Sequence, residues 1–422
     1  MSFTLHVDQN QYLAVGATQV HAVLTVGSAG GPVVETRPAE AAEVIIIDTS
    51  GSMSGSKIRE ARQAAAVAVQ SLRDGVHFGV ISGTDNARLI YPSGRNLVRA
   101  SRATRDAAVK EINRMTAGGG TEIGRWLELA GSLLDGHPEA IRHAILMTDG
   151  QNNESASRFE SVLRACQGRF TCDSLGVGED WVRTELAKVA TALLGTYDYV
   201  KQGAALADYF RDLTQTAMSK TLAELTLHVK TPNDAKVLFV KQVAPTILDL
   251  TGQRVQVDAL TTDFPTGSWG AEERVYHICV EMPARQPGPP VRAAWVRLVR
   301  PDTLEIFASG NVLATWTDDL AQSTRINRKV AHYTGQAELH SLIQEGLQAR
   351  DSGDQDTATA RLAKAKKLAD ETGRDDTARL LAQMVEVDSS GTARLRAGVG
   401  KDVELELDTG SVRTSRLKTG EA

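Results

Sequence analysis

The sequence predicts an α/β fold: a doubly wound, mostly parallel sheet inserted into an antiparallel β-sandwich, with a C-terminal helical segment. Three observations carry this. Val44, Ile45, Ile46 and Ile47 form an unbroken β-branched run ending at Asp48, the mark of a strand buried on both faces. From about residue 41 to 220, strand-like and helix-like stretches alternate. On either side, in residues 1–40 and 221–316, apolar and polar residues alternate with a period of two.

In chain order, Phe3, Leu5 and Val7 alternate with polar residues, as do Val20, Ala22, Leu24 and Val26. The strand 44–48 leads into a predicted helix over 58–72, which Ser56 could cap. Strands are predicted over 76–82 and 87–91. The link between them is too short for a parallel crossover, so they form an antiparallel pair at a sheet edge. Helices over 104–115 and 123–134 flank the loop Gly118-Gly119-Gly120-Thr121. A buried strand over 144–148 ends at Asp149-Gly150. Helix 154–166, strand 171–177, helix 182–192, strand 197–200 and a closing helix over 204–220 complete the α/β part. The period of two returns at 225–229, 276–282, 291–299 and 312–316, separated by Pro- and Gly-rich turns. With residues 1–40 completing that sandwich, the α/β domain over 41–220 is an insertion whose entry and exit lie close together. Residues 319–388 read as helical. Gly346, Gly353-Asp354, Ala358, Leu362 and Ala365 are spaced as in one tetratricopeptide repeat, but a single unit cannot close a core, and a plain helical hairpin is the better reading. Residues 389–422, poor in large apolar side chains, read as a flexible tail.

At 422 residues the chain is too long for one ordinary core. A net charge of −5, aromatics at 5% and the lack of a basic stripe argue against a nucleic-acid partner. The N-terminus shows no secretory pattern, and no apolar run suits a bilayer, so no membrane partner is expected. Three cysteines, Cys166, Cys172 and Cys279, without metal-ligand spacing fit buried reduced thiols and a cytoplasmic location.

The chemistry gathers at Asp48, Ser50 and Ser52: an acid and two hydroxyls at alternate positions, at the carboxyl end of a buried strand. Open α/β sheets put their ligands there, and hard oxygens suit a hard divalent cation, Mg²⁺ first, with Mn²⁺ or Ca²⁺ as alternatives. Thr121, after three glycines, and Asp149, at the end of another buried strand, can reach the same sheet edge. With these five residues, the segment 41–220 resembles the von Willebrand factor type A domain, in the form found in intracellular bacterial proteins, with its complete metal-ion-dependent adhesion site. An excess of Arg over Lys points the same way, to a GC-rich bacterium. The resemblance implies that Ser50 and Ser52 bind the cation through their hydroxyls and Thr121 directly or through water. It implies that Asp48 and Asp149 act mostly through waters or by holding the hydroxyls. One coordination position then stays open to a carboxylate of a partner protein. The implied function is metal-dependent protein binding, as an adaptor, and not catalysis.

Enzyme motifs fare worse. A phosphate-binding P-loop starting at Gly51 would need glycine where Ser56 stands, and a hydroxyl residue where Ile58 follows Lys57. A nucleophile elbow over Gly51–Gly55 would carry Met53 at its centre. The runner-up function is a metal-dependent hydrolase of phosphate esters, for which His77, His137 and His143 offer no partnered base; they read as surface or strand-end residues. Trp126 and Trp181 read as packing rather than as a partner surface. In the tail, Thr409, Ser411, Thr414 and Ser415 among acids and arginines suggest a Ser/Thr kinase substrate, read by a phosphopeptide-binding partner.

Overall fold

In the computed structural model, the structure describes residues 2–29, 39–201, 204–387, 393–396 and 398–414. The chain divides into two compact units: Met1–Pro32 with Leu225–Thr266 and Ala271–Ala422, and Val33–Glu224 with Gly267–Gly270. The second therefore interrupts the first along the sequence.

The inserted unit is a doubly wound α/β domain. Its main sheet runs in the order Tyr197–Val200, Thr171–Val177, Ile141–Thr148, Ala41–Asp48, His77–Gly83, Ala87–Tyr91. The strands are parallel except for Ala87–Tyr91 at the edge, which pairs antiparallel with His77–Gly83 as its short turn requires. A two-residue strand, Val98–Arg99, was not anticipated and also pairs with His77–Gly83. Every residue of the central strand Ala41–Asp48 is buried. On one face, Ile45 and Ile47 meet Ile58, Ala61, Ala65 and Val69 of the helix Ser56–Ser71 and Phe210 of Ala204–Met218. Helices Ile123–Leu134, Ala156–Cys166 and Arg183–Ala192 pack with one another in turn. The helix Ser56–Ser71 starts from Gly55, at φ +80°, and not from a Ser56 cap. Strand order reverses at Ala41–Asp48, so the crevice at the carboxyl ends of Ala41–Asp48 and Ile141–Thr148 is the topological switch point.

The first unit contains two antiparallel sheets. One orders Ser2–Gln9, Gln19–Ala29, Glu273–Glu281, Lys236–Ala244, Leu248–Asp249. The other orders Val255–Gln256, Thr261–Trp269, Leu222–Lys230, Val291–Val299, Ile306–Thr317, Tyr12–Ala14, its last pairing being parallel. Ser2–Gln9 packs on Ile306–Thr317 so closely that a Cβ on Gly310 would lie 2.5 Å from Leu5. On the first sheet, Val23, Val243 and Val275 receive Val330 and Tyr333 of the long helix Arg328–Asp351. That helix returns through Gln355–Glu371, where Gly346 admits Leu362 at the crossing, and then Asp375–Met384.

The expectation of a loose tail over 389–422 is overturned for its central part. Lys401–Val412 is a helix, with Asp402 and Glu404 in its first turn, where the helix dipole favours acids. Leu405 and Leu407 are buried, and Leu407 joins a core with Leu342, Ile343, Leu347, Leu381 and Met384. Its end is tied back where Ile247 N–H donates to Val412 O (2.8 Å) and Thr414 N–H to Pro245 O (3.1 Å). Composition misled because Val403, Leu405 and Leu407 alternate with acids, a period of two that no single helix face satisfies. Here the helix touches both Arg328–Asp351 and Asp375–Met384, so more than one face is covered. The proposed phosphosites change with it. Thr409 and Ser411 are buried, their hydroxyls donating to Leu405 O (2.9 Å) and Asp408 O (2.7 Å), so a kinase has no access to them. Thr414 Oγ1 donates to Pro245 O, and Ser415 lies outside the described residues. Leu407→Ala should lower unfolding free energy by about 2–4 kcal/mol, as core truncations do, measured by urea unfolding; a truly loose tail would give no change.

Candidate functional site

Asp48 ends the central strand and its oxygens turn inward. Oδ1 accepts the Ser50 N–H (2.7 Å) and Oδ2 the Thr148 hydroxyl (2.6 Å). Burial pushes the Asp48 carboxyl above the ordinary carboxylate range, and the hydrogen bonds from Thr148 and Ser50 only partly offset it.

Ser50 and Ser52 hydroxyls lie 2.9 Å apart, and Ser52 Oγ donates to Asp149 Oδ1 (2.8 Å). Asp48, Ser50, Thr121 and Asp149 are buried, whereas Ser52 is exposed, so the cluster opens to solvent on its side. Thr121 reaches the cluster from the glycine loop. Gly51 N–H donates to Gly119 O (3.0 Å) and Gly118 N–H to Thr49 O (2.8 Å), which stitches that loop to the turn after Asp48. Gly119 is at φ +83°, and a Cβ there would lie 2.7 Å from Asp85 Oδ1, so glycine is needed. The convergence is clearest at Gly150. A Cβ added there would lie 3.3 Å from both Ser52 Oγ and Thr121 Oγ1 and 3.7 Å from Asp48 Oδ2. All five residues singled out in the sequence thus meet in one cluster.

Three contributors escaped the sequence reading. Thr148 fixes Asp48. Asn153 holds the loop, accepting from Thr121 N–H (2.8 Å) while its own N–H donates to Thr121 O (2.7 Å). Lys57 Nζ lies 2.5 Å from Asp149 Oδ2 and 3.2 Å from Asp180 Oδ2. Only Lys57 left a local signal: a cation in a helix first turn, where the dipole disfavours it.

Among the described residues, no group of three or more His, Cys, Asp or Glu side chains is placed to hold a metal. The cluster at Asp48 has two acids and reaches its donor count through hydroxyls, which fits a hard cation held in oxygen and water.

Two expectations about other side chains are settled here. Trp126 and Trp181 are fully buried, each against a strand glycine, Gly83 and Gly176, and the Trp126 indole N–H donates to Thr84 O (2.7 Å). His143 is not a surface residue. It is buried between Glu43 (Nδ1 to Oε1, 2.9 Å) and Asp173 (Nε2 to Oδ2, 3.1 Å). Burial alone would lower its pKa, but the two carboxylates overcome this and raise it to about 10, so both ring nitrogens carry protons. This network sits five residues before Asp48 on the central strand, about 16 Å away at strand spacing, and is not part of the site. The cysteines are all free and buried.

Comparison with known proteins follows the same lines. A sequence profile of the von Willebrand factor type A domain matches residues 42–199, and one of the von Willebrand factor type A C-terminal domain matches residues 367–411. A solved structure described as von Willebrand factor type A from Catenulispora acidiphila is 44% identical, with a TM-score of 0.93, over 99% of this chain and 97% of that one. The ArnB paralog VWA2 from Sulfolobus acidocaldarius shares the fold, with a TM-score of 0.59 at 15% identity over 98% of both chains. An uncharacterized protein of Synechocystis is 27% identical over 50% of this chain and 50% of its own length. Mouse inter alpha-trypsin inhibitor, heavy chain 4 is 29% identical over 43% of this chain and 20% of its own length. The chain thus spans half or less of these two curated relatives.

Proposed function

This chain belongs to the von Willebrand factor type A family, and from that premise we propose that it is a divalent-metal-dependent adaptor, taking an acidic side chain of a partner protein through the metal. Domains of this family mediate protein–protein interaction, often through a bound divalent metal. The observation that carries the reading is the meeting of Ser52, Thr121 and Asp48 oxygens in front of Gly150, with Ser50 and Asp149 hydrogen-bonded into the same cluster. Ser50, Ser52 and Thr121 would hold Mg²⁺, or Mn²⁺ or Ca²⁺, through neutral hydroxyls. Asp48 and Asp149, engaged by Thr148 and Ser52, would act at one remove or through water. The metal supplies an electrophilic centre when bound. With neutral donors nearest to it, it keeps positive charge that a partner carboxylate can satisfy.

Nothing in this reading needs a catalytic step, and no observation favours the phosphate-ester hydrolase. Among the described residues, no helix is long and apolar enough to cross a membrane. Free, buried thiols support a reducing, cytoplasmic setting. The test is capture: the full chain, immobilised with Mg²⁺, should retain a partner from a lysate of its source that is released by a chelator. Retention that ignores the chelator would overturn the metal-dependent reading.

A further inference from the structure

The helix that follows the Ser-rich turn begins badly. Its N-cap is Gly55, with no side chain capping it, and its first turn holds no acid. Lys57 stands there instead, against the positive end of the helix dipole. Such a local conflict needs a compensating contact, and Lys57 has two. Its ammonium reaches Asp149, just past the strand Ile141–Thr148, and Asp180, beyond the strand Thr171–Val177. The Lys57 side chain is 18% exposed and Asp149 fully buried, so the first pair is shielded from solvent, while Asp180 is 72% exposed and contributes little.

Asp149 is therefore divided: Oδ1 accepts from Ser52 on the metal side, and Oδ2 faces Lys57. Counting Asp48, Asp149 and Lys57 as ionised, and leaving the 72% exposed Asp180 to solvent screening, the site carries one net negative charge without metal and one net positive charge with a divalent ion. Without Lys57 those values would be two negative and zero. We infer that Lys57 is a fixed counter-charge sharing Asp149 with the metal: it holds the metal-free site together, loosens the cation, and leaves the loaded site net positive so that an anionic group is drawn to it. This rests on the metal reading above and adds that the cation is exchangeable and that anion attraction is set by a residue that need not touch the metal.

The test is a Mn²⁺ titration of the full chain by calorimetry, with acetate titrated into the loaded protein as the anionic probe. Water-proton relaxation reports acetate displacing metal-bound water. Lys57→Met should bind Mn²⁺ about tenfold more tightly, from the lost repulsion at short range, and acetate several-fold more weakly. The chelated variant should unfold at lower temperature than chelated wild type, a gap that Mn²⁺ closes. Lys57→Arg should restore wild-type behaviour, and Lys57→Gln substitutes for the Met variant should the latter fail to fold. A purely structural lysine would lower the unfolding temperature and leave both affinities alone, which would overturn the inference. Unchanged or weaker Mn²⁺ binding in the variant would do the same. Wild type that takes up no Mn²⁺ at all would instead remove the metal reading, and this inference with it.

Discussion

Asp48→Ala should cripple cation uptake, with Mg²⁺ and Mn²⁺ affinity falling about a hundredfold, as read by calorimetry. The carboxylate organises the site from both oxygens, fixing the Ser50 backbone and the Thr148 side chain. Its loss leaves the Ser50 N–H and the Thr148 hydroxyl without acceptors, at about 1–3 kcal/mol each if they stay buried. It also removes a desolvated charge that sits beside Asp149, which works the other way. Stability of the chelated protein should thus change little, and the effect should appear when metal is added. Wild type at a Mg²⁺ concentration of about 100 times Kd gains about 2.7 kcal/mol of unfolding free energy, and the variant about 0.4 kcal/mol or less. Asp48→Asn, which keeps the shape, should behave like the alanine variant toward metal. A variant stabilised by Mg²⁺ as wild type is would show that the oxygens at this edge do not act together.

The largest effect on stability itself is expected at His143. His143→Ala strands Glu43 and Asp173 inside the sheet with their cation gone, and breaking a buried pair of this kind costs about 3–5 kcal/mol. The pH dependence has a definite sign. The folded-state pKa, about 10, lies above the unfolded value of about 6.5, so the stabilisation is fully present below about pH 6.5 and is lost as pH rises through 10. Urea unfolding between pH 6 and 10 should therefore show wild type losing stability faster than His143→Ala, with the two curves converging at the alkaline end. At temperatures where both are folded, Mn²⁺ affinity should be the same, since the network lies well away from the Asp48 cluster. Parallel pH curves would mean that His143 is neutral in the folded chain.

The contrast between these two clusters shows what the chain makes legible. Asp48, Ser50 and Ser52 lie within five consecutive residues, and the β-branched run before them marks the strand that delivers them. Thr121 and Asp149 could be joined to them because each ends a recognisable loop or strand at the same sheet edge. Glu43 and His143 are 100 residues apart and become neighbours only through the register that sets Glu43 beside His143 on adjacent parallel strands. Nothing local announces that pairing, and a histidine at the start of a strand looks like a surface residue. Lys57 meets its partners 92 and 123 residues away. The C-terminal helix was hidden for another reason: its burial comes from two flanking helices, so it needs no amphipathic stripe of its own.

The position of Trp126 has a practical consequence. Its indole lies over Gly83 and is tethered to Thr84 O, and it sits on the helix that begins two residues after Thr121. The ring is therefore placed where its emission would respond to a shift of the glycine loop. Trp126 is thus a native fluorophore tied to the segment that carries Thr121, and because Trp181 and Trp269 are equally buried parts of the core, its signal is best isolated as the difference from a Trp126→Phe variant.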